Sequence, residues 1–134
     1  MSQESVDAAR AQYERWNAGD MEAWIAGFDP NAEYVSSVMA GLDGTGAYFG
    51  HAGLRTFVAQ YREAWEHFQL EPGEFIAADD RVVVVMQALG RGRESGIVVE
   101  HEFAHVWTFR NGLAVRHESY QSRDEALEAA GLRE

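Results

Sequence analysis

Residues Ile97 to Tyr120, IVVEHEFAHVWTFRNGLAVRHESY, predict a β-hairpin, and this hairpin decides the fold. At a period of two residues, the first half separates into a mainly apolar face and an opposite face that carries Glu100 and Glu102. The mainly apolar face consists of Ile97, Val99, His101, Phe103, His105, Trp107 and Phe109. At a helical period the same apolar residues scatter around the axis. The alternation therefore favours a half-buried strand.

The same segment contains His101-Glu102-Phe103-Ala104-His105, a match to the zinc-protease motif H-E-x-x-H. That motif needs a helix, which brings both imidazoles to one metal ion. In a strand, residues four apart lie about 13 Å from each other. Glu102 then also points away from both histidines, so we expect no metal site. A zinc hydrolase remains an alternative, with Glu118 or Glu125 as the third ligand.

The end of the first hairpin strand fixes which residues should pair. Arg110-Asn111-Gly112 predicts a three-residue loop, with Gly112 at the position that needs a left-handed backbone. The pairs that follow are Phe109 with Leu113, Trp107 with Val115, His105 with His117, Phe103 with Ser119 and His101 with Gln121. His105, His117 and Ser119 would form a polar island on an apolar face. A two-residue loop would instead pair His105 with Glu118.

Composition limits the class of protein. With 134 residues and 46% hydrophobic content, the chain is expected to be a single domain spanning 1–134. A net charge of −11 argues against a nucleic-acid partner, because phosphate binding needs a basic face. All 11 basic residues are arginine and cysteine is absent, which excludes Schiff-base and thiol chemistry. We expect no cofactor, no membrane partner and a cytoplasmic location, since no signal peptide or long apolar run is visible.

The remaining patterns predict the other elements. Helices are expected from the N-terminus to Ala18, from Met21 to Phe28, from His51 to His67 and from Ser122 to Gly131. Strands are expected from Ala32 to Val38, from Gln69 to Ala78 and from Val82 to Arg91. The segment from Met39 to Gly50 contains four glycines and predicts a loop with the flexibility to cover a cavity. The order indicates an α+β domain with helices on one side of its sheet.

Five segments, in this order along the chain, carry a resemblance to a known family. They are Tyr13–Asp20, Phe49–Arg55, Ser95–Glu100, Phe103–Gly112 and Ala126–Gly131. Over nearly its full length the chain resembles the SnoaL-like branch of the nuclear transport factor two-like superfamily. The resemblance implies a cone-shaped, strongly curved mixed β-sheet that packs on N-terminal helices and encloses an apolar pocket. It also implies a homodimer through the outer sheet face.

The same resemblance implies a range of activities, because ketosteroid isomerases, polyketide cyclases, epoxide hydrolases and dehydratases share this fold with non-catalytic binders. Ketosteroid isomerases place a base Asp on the first strand, where this chain has Ser36. Their oxyanion donor lies near His105, and their first-helix tyrosine corresponds to Tyr13. The aldol cyclases use an acid and a His on the last two strands. His105 is similar to that His, whereas Ser119 stands at the acid position.

The leading hypothesis is a small-molecule pocket protein, an isomerase-, cyclase- or dehydratase-type enzyme acting on an apolar carbonyl-bearing or cyclic substrate. His105, backed by His117, is its general acid or base, because imidazole ionises near neutrality. Tyr13 is the third candidate catalytic residue. The candidate substrate-binding residues are Tyr34, Ser36, Met39, Phe57, Tyr61, Trp65, Met86, Phe103, Trp107 and Ser119. The alternative is a non-catalytic ligand-binding or dimerisation domain of the same fold.

Overall fold

The computed structural model describes residues 2–36 and 46–132. Helices α1 (Ser2–Ala18) and α2 (Met21–Ala26) lead into strand β1 (Phe28–Val35). Strand β2 (Ala47–Phe49) then leads directly into helix α3 (Gly50–Ala64). The remaining elements are β3 (Trp65–Ala78), β4 (Arg81–Gly92), β5 (Val98–Arg110), β6 (Leu113–Tyr120) and helix α4 (Arg123–Ala129).

Six strands form one strongly curved mixed sheet in the order β2-β1-β6-β5-β4-β3. Strands β3 to β6 are antiparallel in succession, as the sequence predicts. Strand β1 joins parallel to β6 and antiparallel to β2. The parallel pairing sets Tyr34 beside His117. Irregular register within β3, and between β5 and β6, helps the sheet to bend. The α+β cone inferred from the resemblance is confirmed.

Helices α1 and α3 supply the apolar layer on the inner face of the sheet. The buried stripe of α1 follows helical spacing and consists of Ala9, Gln12, Tyr13 and Trp16. The stripe of α3 follows the same rule and consists of Leu54, Phe57, Val58 and Tyr61. Both stripes join one core cluster with the inward residues of the strands. None of the helices in the described part of the chain has the length and apolar character needed to cross a membrane.

Helix α4 packs on the opposite face of the sheet, so the expectation of helices on one side only was wrong. Val83, Ala104, Val106, Ala126 and Ala130 form a second buried cluster there. Strands β4 and β5 are therefore apolar on both faces near their middle, and exposing that outer face would leave Val83 and Val106 in water. The capping Ser122 starts the helix by accepting a hydrogen bond from the Glu125 backbone N–H at 3.2 Å.

Several predicted boundaries also differ from the structure. Strand β1 begins at Phe28, which was expected to end a helix, and β3 begins at Trp65 rather than Gln69. In both places pairing with a neighbouring strand supplies backbone hydrogen bonds that local periodicity does not reveal. The predicted loop from Met39 to Gly50 contains the short strand Ala47–Phe49. Residues 37–45 lie outside the described residues.

The hairpin turn is one residue shorter than predicted. Asn111 and Gly112 alone form the turn, with φ angles of 56° and 81°. Arg110 therefore pairs with Leu113. A two-residue loop with both backbones left-handed has the twist that suits flanking antiparallel strands, and Asn-Gly is the pair most suited to it.

A bulge on β6 then restores the inward face of the strand. Val115 has no partner in the ladder. Thr108 pairs with Arg116, whereas the turn alone would pair it with Val115. His105 stands opposite Ser119, so the predicted pairing of His105 with His117 was wrong. Compared with the predicted register, the shorter loop and the bulge each move β6 by one residue. Two such shifts leave every inward side chain inward.

Candidate functional site

A directed chain of hydrogen bonds runs from Trp107 through Tyr13 to His105. Trp107 Nε1–H donates to Tyr13 Oη at 2.9 Å, and Tyr13 Oη lies 2.7 Å from His105 Nδ1. An indole N–H can only donate, and it occupies one acceptor site of the hydroxyl. The tyrosine O–H would be a buried donor without an acceptor unless it donated to Nδ1, so we assign it as the donor. Because Nδ1 accepts, the neutral imidazole of His105 carries its proton on Nε2.

Burial keeps both members of the Tyr13–His105 pair uncharged at neutral pH. Both side chains are buried, and burial lowers the pKa of His105 to about 3. Burial also raises the pKa of Tyr13 above its usual value, with the hydrogen bond from Trp107 as a smaller opposing effect. The cause is the cost of placing a charge in an apolar surrounding. At neutral pH the His105 imidazole is therefore uncharged, and its catalytic role stays a prediction.

His117 lies directly behind His105. Its ring stacks on Tyr34 at a centroid distance of 4.2 Å and meets the His105 ring edge-on at 4.4 Å. The residue is 1% exposed, and its Nδ1 has no hydrogen-bond partner among the described residues. Burial, followed by the proximity of His105, holds the pKa of His117 well below its usual value. The two imidazoles are therefore neighbours, as expected, and both are neutral.

A small cavity lies on the inner side of His105. Its volume is about 20 Å³, which corresponds to roughly one water molecule. Its lining residues are Trp16, Tyr34, Ser36, Tyr61, Phe68, Leu70, Met86, Phe103, His105 and Ser119. Polar groups come from His105, the two serines and the tyrosines, while the other walls are apolar. At this volume the cavity is much smaller than a typical small-molecule site, which encloses about 300 Å³ or more.

The structure brings together most of the residues predicted for the site. The predicted residues that border the cavity are His105, Tyr34, Ser36, Tyr61, Met86, Phe103 and Ser119. Tyr13, Trp107 and His117 support His105 from behind. Phe57 packs in the core against Tyr34 at 4.4 Å. Trp65 lines a separate recess near the end of α1, and Met39 lies outside the described residues.

Three residues that border the cavity were missed. They are Trp16, Phe68 and Leu70. Trp16 lies one turn after Tyr13 on the apolar stripe of α1, so the helical period could have assigned both to one site. Phe68 and Leu70 alternate inward on β3, but the predicted helix and strand boundaries divided that segment.

The structure does not have the helix that the zinc-protease motif needs at residues 101–105. Residues 101–105 lie within strand β5, where His101 and Glu102 are exposed and His105 is buried. The candidate third ligand Glu118 is engaged by Arg116 through a salt bridge. Within residues 2–36 and 46–132, no group of three or more acidic or histidine side chains is placed to hold a metal ion. The zinc hydrolase alternative was therefore wrong, because the strand holds the two histidines in different environments.

Comparisons with known proteins agree with this architecture. A family model described as SnoaL-like domain matches residues 9–117. A similar solved structure is an NTF2-like protein of unknown function from Burkholderia pseudomallei, with 25% identity, coverage of 93% of this chain and 95% of that chain, and a TM-score of 0.81. Another is TerC co-crystallized with polyporic acid, with 30% identity, coverage of 96% and 97%, and a TM-score of 0.80.

A third similar structure is described as a SnoaL-like polyketide cyclase from Jannaschia. It has 16% identity, coverage of 89% of this chain and 85% of that chain, and a TM-score of 0.76, so it shows the fold alone. No curated protein matches the sequence. Together the matches support a small-molecule binding or cyclase-type function for this fold.

Proposed function

Since this chain belongs to the SnoaL-like domain family, we propose that its inner cavity binds a small cyclic carbonyl compound whose oxygen accepts a hydrogen bond from His105 Nε2–H. The observation that carries the proposal is the chain from Trp107 through Tyr13 to His105. It leaves Nε2–H as the polar group that His105 offers to a ligand. His105 also borders the cavity, whereas Tyr13 and Trp107 do not.

A neutral imidazole in this position favours the enol form of the ligand. When a carbonyl compound loses an α-proton to a water molecule, the electron pair of the C–H bond moves to the oxygen as negative charge. A fixed donor in an apolar site stabilises that charge in the transition state more than in the ground state. Neutral histidine is suited to this electrophilic role when its pKa is depressed. Isomerisation, cyclisation and dehydration of carbonyl compounds share such an enolate-like step.

Other contacts support a small organic ligand. Ser36 and Ser119 place hydroxyl-bearing side chains at the cavity, and Met86 and Phe103 supply apolar walls. TerC, at 30% identity, was co-crystallized with polyporic acid, which supports an organic ring compound for this chain also. At about 20 Å³ the cavity has to widen by movement of its lining side chains before such a ring fits.

Exchange of α-protons for deuterium tests the proposal without knowledge of the natural substrate. Solutions of 2-tetralone in D₂O are followed by proton NMR with the wild-type protein, His105→Asn and His105→Gln. Asn retains an acceptor near the Nδ1 position but lacks the Nε2–H donor, whereas Gln places an N–H near Nε2. We expect wild type to accelerate exchange, His105→Asn to lose about tenfold or more, and His105→Gln to keep more of the rate.

The matched control is His101→Asn, on the same strand but exposed, which should exchange like wild type. Equal acceleration by wild type and His105→Asn would contradict the proposed role of His105.

A non-catalytic ligand-binding domain is the second candidate, and two observations favour it. The cavity is small, and the pKa of His105, near 3, makes it a weak base at neutral pH. This candidate predicts that no cyclic ketone in a panel exchanges faster with protein than without it. It also predicts that His105→Asn binds the same ligands as wild type, which isothermal titration calorimetry measures.

We further propose that the chain forms a homodimer through the outer face of its sheet. Val98, the first residue of β5 and on the face opposite to His105, is 65% exposed and would be covered in such a dimer. Light scattering after size-exclusion chromatography should give twice the mass of 15.0 kDa. Val98→Glu should shift the mass toward that of the monomer, because it places a charge on the proposed interface. An unchanged dimer mass in Val98→Glu would contradict the proposal.

A further inference from the structure

A second, larger recess lies beside the cavity at His105. Its volume is about 400 Å³, and it lies between the end of α1, the last turns of α3 and the start of β3. Four aromatic residues contribute to its walls, namely Trp16, Tyr61, Trp65 and Phe68. A volume of this size falls within the range of small-molecule sites, which are typically concave and mostly apolar. The walls favour a flat ring compound, since aromatic pairs stack or meet edge to face.

Two indole N–H groups of these aromatic residues have no hydrogen-bond partner among the residues that the structure describes. Trp16 Nε1 and Trp65 Nε1 are buried without a hydrogen bond to any described residue, and the third such atom is His117 Nδ1 behind His105. Trp16 is 7% exposed, so its N–H is largely withdrawn from water. Buried indole donors usually find an acceptor, because leaving one unpaired costs about 1 to 3 kcal/mol. A ligand with acceptor oxygens can pair with these N–H groups where the rings turn to expose them to the recess.

The rim of the recess carries two arginines and one acid, Arg62, Arg93 and Glu66. Arg93 is held in place, because its Nε donates to the Arg62 carbonyl at 2.9 Å and its Nη2 to the Trp65 carbonyl at 3.2 Å. No hydrogen bond or ion pair of the Arg62 guanidinium occurs within the described residues. The rim is therefore net positive in a chain of net charge −11. Guanidinium groups match carboxylates in shape and charge.

Gly90 on β4 makes the aromatic wall possible. A Cβ at this position would lie 2.5 Å from Phe68 Cδ2 and 3.2 Å from Trp65 Cε3. The rings of Phe68 and Trp65 therefore lie directly over the β4 backbone, in space that only glycine leaves open. Their mutual edge-to-face packing at a centroid distance of 5.0 Å fixes them there. The wall is a built feature of the sheet rather than a chance gap.

We propose that this recess binds an aromatic carboxylate, with its ring against Trp65 and Phe68 and its carboxylate paired with Arg62. Only the part of this inference that identifies the ligand as the substrate rests on the proposed function. Trp16, Tyr61 and Phe68 border both the recess and the cavity at His105. A carbonyl on the far side of the ring therefore points toward His105 once Tyr61 or Phe68 turns aside. The substrate class is accordingly an aromatic acid that also bears a carbonyl group.

Indole signals in nitrogen-proton NMR locate the ligand directly. The chain has four tryptophans and hence four indole N–H signals, which Trp16→Phe, Trp65→Phe and Trp107→Phe assign. On titration with 2-naphthoate, the Trp16 and Trp65 signals are expected to shift saturably. The Trp107 signal, whose N–H is already bound to Tyr13, is expected to stay in place. Shifts confined to Trp107, or no saturable shift at all, would overturn the proposal.

Matched variants test the part played by charge. Wild type is expected to bind 2-naphthoate about threefold to tenfold more tightly than the neutral 2-naphthamide. Arg62→Gln should remove that preference, and Arg62→Lys should restore part of it. Arg55→Gln is the control, since Arg55 lies on the same helix, is paired with Glu22 at 3.1 Å and does not line the recess. Equal preference in wild type and Arg62→Gln would contradict the assignment.

The two proposals fail separately. His105→Asn should leave 2-naphthoate affinity and the indole shifts unchanged, because His105 does not line the recess. If affinity instead falls with His105→Asn and not with Arg62→Gln, the ligand occupies the inner cavity and the recess proposal is wrong. If 2-naphthoate binds as described while no ketone exchanges, the recess stands and the catalytic role of His105 falls.

Discussion

Tyr13 Oη and His105 Nδ1 lie 2.7 Å apart, although the two residues are separated by 92 positions in the chain. The contact joins the inner stripe of α1 to the middle of β5. Their rings are nearly parallel, with a centroid distance of 5.8 Å and an interplanar angle of 7°. Trp107 can only donate to this hydroxyl, so Nδ1 is the acceptor that satisfies the buried O–H, and we assign the shared proton to the tyrosine. One helix residue thus determines which tautomer a strand residue adopts.

Replacing Tyr13 by phenylalanine tests this relationship. The change removes the acceptor of Trp107 Nε1–H and the donor to His105 Nδ1, and it leaves both buried groups unpaired. We expect the free energy of unfolding to fall by about 1 to 3 kcal/mol in urea denaturation at pH 7. Nitrogen NMR of the His105 ring should also lose the pure Nε2–H tautomer. An unchanged tautomer in Tyr13→Phe would show that the hydroxyl does not orient the imidazole.

Stability should fall as the solution becomes acidic. The pKa of His105 drops from about 6.5 in the unfolded chain to about 3 in the folded one. Above pH 6.5 His105 is neutral in both the folded and the unfolded chain, so its ionisation does not lower the free energy of unfolding there. As the pH falls from 6.5 toward 3, the unfolded chain takes up a proton that the folded chain excludes. This difference in proton uptake lowers the free energy of unfolding by about 1.4 kcal/mol per pH unit for each such histidine.

Urea unfolding between pH 6.5 and 5 measures this slope. His105→Gln removes the contribution of one histidine, so the free energy of unfolding should fall by about 1.4 kcal/mol less per pH unit than in wild type. His101→Asn, which changes an exposed histidine on the same strand, should leave it as in wild type. Identical slopes in all three proteins would show that His105 is not buried as a neutral group.

His117 should be replaceable by leucine at little cost near neutral pH. Its Nδ1 is unpartnered among the described residues, so an apolar side chain of similar volume removes an unsatisfied polar atom while losing the stacking on Tyr34. We expect the free energy of unfolding at pH 7 to change by less than about 1 kcal/mol. Below pH 6 the variant should be the more stable protein, because the depressed pKa of His117 no longer penalises folding. A loss near 3 kcal/mol at pH 7 would instead show a buried hydrogen bond at His117.

Gly90→Ala should damage the recess more than the fold. The added Cβ would displace the Phe68 and Trp65 rings, with an expected loss of about 1 to 3 kcal/mol in unfolding free energy and weaker binding of 2-naphthoate. Gly73→Ala is the matched control on β3, because its Cβ would meet only the Val85 carbonyl at an ordinary 3.6 Å. Comparable binding losses in both variants would mean that the rings over Gly90 do not form the ligand wall.

The strand content of the second half of the chain was predictable because alternation is a local property. Phe103, His105 and Trp107 face inward, and Ala104 and Val106 face the other cluster, as period-two reading of the sequence requires. The resemblance of five segments to the SnoaL-like family also predicted the curved sheet. The start of β1 at Phe28 did not, because a parallel neighbour distant in sequence defines it.

The candidate site was predictable as a set of residues but not as a set of contacts. The sequence placed His105, His117 and Ser119 on one face, whereas the bulge at Val115 decided which of them stand opposite each other. A one-residue choice of loop length moves every pair in the ladder, and local sequence distinguishes the alternatives poorly. The recess between α1, α3 and β3 was not predicted as a separate site, since its rings come from three separate segments, although Tyr61 and Trp65 were among the candidate binding residues.

What the sequence by itself determined is the inward side of each strand and helix, and with it the presence of two imidazoles in an apolar interior. This follows because the side-chain period is fixed by local backbone geometry. The tertiary structure alone decided that Tyr13 donates to His105, that burial holds the imidazoles neutral, and that α4 covers the outer face. Hydrogen-bond direction and desolvation depend on neighbours that only folding brings together.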